Sequence, residues 1–151
     1  RIYIMTSYLI QVITAGIASF GFALLYNVRG KRLIIPFTGG IAGWTLYIML
    51  MFLNNDILQS FIATIFLTIY TEIAARIVKT PTTTFLVPNI IIFIPGGLLY
   101  FTISSAIRSD WLNFMVYGKE TLFMAASIAA GIMIVSSLVK IIYKLKPDNA
   151  K

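Results

Sequence analysis

The sequence has no cysteine and no histidine. Thiolate nucleophiles, imidazole bases and Cys/His zinc sites are therefore excluded as sources of chemistry. Acidic residues are scarce too: of five in 151 residues, Asp56, Asp110, Glu120 and Asp148 fall in predicted loops or in the tail. That leaves no catalytic constellation, and the reading is a chain that is not an enzyme and uses neither a metal nor a cofactor. Charged residues of either sign make up only 11%, against roughly 25% in average soluble chains. What is present is apolar: 59% of residues are hydrophobic and the mean hydropathy is +0.91. A soluble domain of this length needs far more polar surface, so the composition specifies an integral membrane protein.

The net charge of +7 raises nucleic acid as a partner, but the distribution argues against it. The basic residues stand at the edges of apolar runs and nowhere gather on one polar face, a pattern that membrane orientation explains better. The N-terminal apolar run is too long for the core of a cleavable leader and has no clear small-residue cleavage site, so it is expected to remain as a span.

Apolar runs bounded by charge or turn residues predict an all-α polytopic domain covering residues 1–151. Five spans are expected, at about 4–25, 33–53, 57–77, 83–107 and 121–142. The cluster Arg29-Gly-Lys-Arg32 ends the first run, and Asn54-Asn55-Asp56 reads as a turn. Between the fourth and fifth spans, Ser109–Glu120 reads as a polar connection. Its Trp111, Phe114 and Tyr117 suggest a short helix lying at the interface. With the N-terminus outside, Arg29, Lys31, Arg32, Arg76, Lys79, Lys140, Lys144, Lys146 and Lys151 lie inside, and only Arg1, Arg108 and Lys119 lie outside. The positive-inside bias thus predicts an external N-terminus and a cytoplasmic C-terminus. An odd number of spans cannot hold an even inverted duplication, so a symmetric pathway would need a partner or further copies of the chain.

The fourth span is the unusual one. Thr80 to Ile107 carries no charge, yet Pro81, Pro88, Pro95 and Gly96-Gly97 interrupt it. Broken backbone at membrane depth is tolerated only where protein or a watery cavity covers it, and a discontinuous helix is a pointer to a transport site. Asn89, Pro95, Gly96 and Gly97 are therefore candidate substrate contacts, since half-helix ends expose backbone groups to a ligand. The bland alternative is that Asn89 bonds a neighbouring helix and the threonines Thr82–Thr84 cap a helix start. Glu72 and Arg76 share a helix face four residues apart. They are candidates for a gate or a coupling pair, or for an ion pair that anchors a helix end. Gly39 and Gly43, with Ala125 and Ala129 (and Ala126 and Ala130), read as helix-packing faces. Gln11, Gln59 and Thr64 suit either a pathway lining or polar contacts between helices.

Several of these residues together resemble a known family. Glu72-x-x-Ala75-Arg76-x-x-Lys79-Thr80-Pro81, then Phe85, Pro88, Pro95-Gly96-Gly97 and Tyr100, are similar to the signature of the bacterial threonine/serine exporters. Gly21-Phe-Ala-Leu-Leu-Tyr-Asn-Val28 and Gly39-Gly40 match as well, so the resemblance covers nearly the whole chain. It resembles the small subunit of the two-component form, or the C-terminal membrane half of the fused form. The resemblance implies export of small amino acids such as threonine and serine, or of succinate-like dicarboxylates in split members. It also implies a larger membrane partner subunit with a cytosolic helical region, and residence in the bacterial cytoplasmic membrane. One departure is Ile92, where relatives commonly carry a second proline.

The expectation is thus a membrane subunit of a secondary exporter, driven by an ion or substrate gradient because no ATP-binding motif is present. Its expected partners are a larger subunit or further copies of itself, a small-molecule substrate and the lipid bilayer, with no nucleic acid. Two rivals remain at this level: a non-transporting structural or regulatory subunit, and an ion channel.

Overall fold

The computed structural model describes residues 2–145, with side chains from 6 to 144. Arg1, Lys146 and Lys151, which enter the charge count, and Asp148 lie outside the described residues. Among those described, the chain folds into six α-helices and no strands: α1 (Ile2–Leu25), α2 (Ile34–Met49), α3 (Asp56–Ile77), α4 (Thr83–Ile90), α5 (Gly96–Ile107) and α6 (Trp111–Leu145). Single 3-10 turns lead into α2 (Gly30–Leu33) and extend α2 (Leu50–Leu53) and α4 (Ile91–Phe93). It is an all-α polytopic membrane protein. Four segments, Thr6–Leu25, Gly30–Leu53, Asp56–Ile77 and Trp111–Lys144, are each long and apolar enough to cross a bilayer.

The turns between helices repeat one device. Asn27, Lys79 and Ser109 have positive φ (59°, 53° and 57°) just past α1, α3 and α5. At each, the next amide reaches back five residues: Val28 to the Ala23 carbonyl, Thr80 to Ala75 and Asp110 to Ser105. These are Schellman closures, which satisfy the last carbonyls of a helix and reverse the chain at once. Two starts are capped by side chains instead. Asn55 accepts the Leu58 amide at 3.1 Å to begin α3, and Asp110 accepts the Asn113 amide at 3.3 Å to begin α6.

The broken stretch bends by 59° between Phe93 and Gly96. Pro88 lies inside α4 without ending it. The break comes at Ile94, whose ψ of 126° is extended, because the ring of Pro95 disfavours helical backbone in the residue before it. Contacts show that the bent pair crosses the bundle. Phe85 packs with Ala23, Val28 and Ala75, at the end of the bundle that carries Arg29, Lys31, Arg32, Arg76 and Lys79. Gly96, Gly97 and Leu98 instead line a cavity with Asp56 at the Asn55 end. The helix α6 then runs back parallel to α3: Gly131 sits on the Phe61 carbonyl and Thr64, and the Arg76 guanidinium lies 3.5 Å over the Tyr143 ring. The two ends of the described chain therefore lie at opposite ends of the bundle.

Two expectations change. The region Ser109–Glu120 is no separate interfacial helix, because from Trp111 onward it forms the first turns of a 35-residue α6. At 1.5 Å per residue that helix is about 52 Å long, against a hydrocarbon core of about 30 Å. Its packing face also differs. Ala125, Ala126 and Ala129 are exposed, while Ile128 and Val135 are buried and Gly131 meets α3. Within the chain, the seam of α6 thus runs along the opposite face from those alanines. Gly39 and Gly43, by contrast, are buried in α2 against α3 and α4.

Candidate functional site

One face of α3 is polar and entirely enclosed. Ser60, Thr64, Thr68 and Thr71 are all buried, at spacings of three and four that place them on one side of the helix, and Gln59 is buried beside them. Thr68 and Thr71 turn their hydroxyls onto the backbone, bonding the carbonyls of Thr64 at 2.7 Å and Thr68 at 3.0 Å. The Gln59 Oε1 and Thr64 Oγ1 atoms have no hydrogen-bond partner, and neither does Ser19 Oγ on α1. An unpaired buried polar group costs about 1–3 kcal/mol, and a membrane interior supplies no water to relieve it. Groups left unpaired in this way are poor packing, and they leave hydrogen-bonding capacity inside the bundle.

Asn89 belongs to the same interior. It is completely buried, and neither its carboxamide nitrogen nor its oxygen has a partner. Its location explains Gly39. A Cβ at that position would overlap the Asn89 amide nitrogen and stand 2.9 Å from the Tyr70 ring. Tyr70 cannot move aside easily, because its hydroxyl shares a 2.6 Å hydrogen bond with Thr38 and donates to the Ile35 carbonyl at 3.1 Å. Gly43, one turn along, lies beside Phe93 and Leu67, which a Cβ would meet at ordinary contact distance. Gly39 thus lets α4 approach α2 closely enough to seat Asn89 in the core.

At the break itself the bundle opens. A cavity of about 340 Å³ is lined by the whole stretch from Ile92 to Leu98, hence by Pro95, Gly96 and Gly97. Across it stand Trp44 and Tyr47 of α2, Asp56 at the start of α3, and Glu120 and Met124 of α6. Trp44 and Tyr47 stack at 5.1 Å between centroids, and Phe93 packs 6.0 Å from each. A second hollow of about 260 Å³ adjoins it at the Asn55 end and is also lined by Asp56 and Glu120. Neither carboxylate is in an ion pair, the Glu72–Arg76 bridge being the one among the described residues. A larger hollow of about 430 Å³ lies between α1 and α2, but its walls are almost wholly apolar apart from Lys31. It offers a ligand nothing directional, whereas the cavity at the break offers charge, backbone dipole and aromatic surface together.

The sequence-derived candidates therefore separate. Pro95, Gly96 and Gly97 line the cavity, and Asn89 lies deeper, between α2 and α3. Glu72 and Arg76 form their i,i+4 bridge at 3.2 Å, but at the α3–α6 seam, held by the ring of Tyr143. The sequence pattern places Asp56 and Glu120 in loops; the signal for them is their position at the ends of apolar runs that flank the broken one. No cluster of three or more acidic side chains among the described residues could hold a metal ion.

The comparison with known families agrees with the picture of a membrane bundle. The model of the family described as "Threonine/Serine exporter, ThrE" matches residues 11–138, which include every residue of the cavity. The chain belongs to the threonine/serine exporter family. This is a family of transporters, and it covers the helices from α1 to most of α6. No curated protein and no solved structure matches this exporter-family chain.

Proposed function

We propose that the chain is a pathway-forming membrane component of an exporter for small zwitterionic amino acids, with the cavity at the α4–α5 break as its substrate site. One observation carries this reading: the N-terminus of α5, bearing Gly96 and Gly97, faces two carboxylates without ion pairs, Asp56 and Glu120, across about 340 Å³. A helix N-terminus attracts a carboxylate, and the acids attract an ammonium group. The volume is at the small end for ligand sites, which suits threonine or serine. The same lining opposes a dicarboxylate. At 4 Å a like-charge contact costs about 1 kcal/mol in water and about 4 kcal/mol at an effective dielectric constant of 20.

From the cavity, the polar face of α3 continues through Thr64, Thr68 and Thr71 alongside Asn89 and supplies the route through the bundle. Ile94–Pro95 is the hinge that opens one end. The basic end faces the cytoplasm of a bacterial cell, by the positive-inside bias, so the cavity faces outward and the N-terminus is external. The chain works with a second membrane component, a larger subunit or further copies, because five crossings cannot form a pseudo-symmetric pathway alone. The Glu72–Arg76 bridge closes the seam between α3 and α6 at the basic end.

Counterflow of radiolabelled threonine in liposomes tests the site, with the chain reconstituted alone and with membrane partners from its host. The expected result is saturable flux that succinate does not inhibit. Asp56→Asn combined with Glu120→Gln should raise the half-saturating threonine concentration tenfold or more. Unchanged saturation in the double variant, or equal competition by succinate, contradicts the proposal. Conductance in place of saturable flux makes the chain a channel, and no flux in any combination makes it a structural subunit.

A further inference from the structure

We propose that the hairpin formed by α5 and the first turns of α6 packs against the same hairpin of a second copy of this chain. The argument begins with depth. About 20 helical residues cover the hydrocarbon core. Counting 20 residues back from Arg76 on α3 reaches Asp56, and 20 back from Lys140 on α6 reaches Glu120. These two acids line one cavity, so two helices agree on where the hydrocarbon ends. From Ile103 to Gly118 the chain lies beyond that level, and at its base α5 and α6 are held together by Phe101 on Tyr117 at 5.5 Å and Thr102 on Thr121 at 3.2 Å.

The hairpin extends about 15 Å past the boundary at helical rise, well beyond a headgroup layer of about 5–8 Å. Sinking it into the lipid instead would carry Asp56, Lys119 and Glu120 into hydrocarbon, where charges are disfavoured. Yet its surface is apolar. Ile103, Ile107, Leu112 and Met115 are each more than half exposed, and Ser105 is its one buried residue. Contiguous apolar surface of this kind above a membrane marks an interaction site.

The charges select the occupant. At the tip Arg108 stands two residues from Asp110, and at the base Lys119 adjoins Glu120, with none of the four in an ion pair. Two copies inserted in the same direction are related by a rotation about the membrane normal, which keeps every residue at its own height. Each charged level therefore brings a base of one copy to an acid of the other, as a self-complementary interface requires. Below the hairpin, the outward face of α6 continues through Leu122 to the exposed Ala125, Ala126 and Ala129. Small residues there allow two helices to approach closely within the lipid. The interface thus runs from Leu112 down α6 without crossing a polar belt wider than Lys119.

The absence of cysteine makes the test clean. Leu112→Cys and Met115→Cys are introduced singly into the full chain, co-expressed under two different tags, and oxidised in native membranes. Both should yield a disulfide-linked species carrying both tags, while Ile17→Cys, exposed on α1, should not. Adding Met115→Glu to the Leu112→Cys chain should lower that yield at least tenfold. The proposal is overturned if properly inserted Leu112→Cys and Met115→Cys chains give no two-tag product. It is equally overturned if their only product contains a different protein, or if the thiols react with a water-soluble maleimide as fast as a free peptide thiol.

Discussion

The two halves of the broken stretch are equally apolar in sequence and behave in opposite ways. On the α4 side, Phe85, Leu86, Pro88, Asn89 and Phe93 are all buried among α1, α2 and α3. On the α5 side only Ser105 is buried, and within the chain the helix packs chiefly on α6. The difference comes from what each half meets. The α4 side faces Gly39, whose missing side chain lets it sink into the bundle; Gly96 and Gly97 on the α5 side have nothing within 4 Å of where a Cβ would stand. The Pro95 break thus joins a clamped half to an open half, and the cavity forms at the joint. A packed anchor beside a free arm is the arrangement that lets a short hinge change the access to a site.

Substitutions on each side of the joint sharpen this contrast. The largest effect is expected for Gly39→Leu, which drives a side chain into Asn89 and the pinned Tyr70 ring. Overpacking of this kind costs about 1–3 kcal/mol or more. Threonine export should fall more than tenfold and hydrogen exchange in α4 should accelerate, whereas unaltered exchange would show that α4 is not clamped there. Next comes Asn89→Leu. Replacing an unpaired buried polar group by an apolar one of similar size is nearly neutral or stabilising. The melting temperature should hold or rise while export drops about tenfold, 1.36 kcal/mol in barrier terms; loss of both would make Asn89 a packing residue.

On the open side, Gly97→Ala meets no steric resistance. It should leave the fold intact and add up to about 1 kcal/mol through helix propensity, while a methyl group in the cavity raises the half-saturating threonine concentration a few-fold. A collapse of expression would show that the α5 side is packed after all. The smallest effect is expected for Glu72→Gln, because a partly exposed ion pair is worth at most about 1 kcal/mol. Thermal unfolding in detergent should shift by no more than that and export should persist; abolished export with intact folding would make the pair the gate or coupling site.

The helices were legible because each apolar run is bounded by charges or by Asn-rich turns, and a membrane enforces that bookkeeping. The start of α6 was not, since Asn113, Lys119 and Glu120 look like a loop in composition. They are helical because Asp110 caps the turn before them and Thr102 and Phe101 of α5 pack alongside. The Pro-Gly break was visible in the sequence, but the acids that line the cavity with it were not. Asp56 and Glu120 are far apart in sequence, and only the parallel run of α6 beside α3 brings both to Gly96 and Gly97. The alanine pattern of α6 was legible only in part. Small residues four apart say that close approach is possible, not which helix approaches, and Ala125 and Ala129 face away from their own chain.

Substrate protection of a single thiol at the joint tests the central claim most directly. Gly97→Cys, in open space and without competing cysteines, is treated with a membrane-impermeant thiol reagent in sealed membranes of known orientation. Threonine or serine should slow its labelling at least several-fold and succinate should not. Labelling at the same rate with and without threonine, or equal protection by succinate, would contradict the cavity as a site for a small zwitterion.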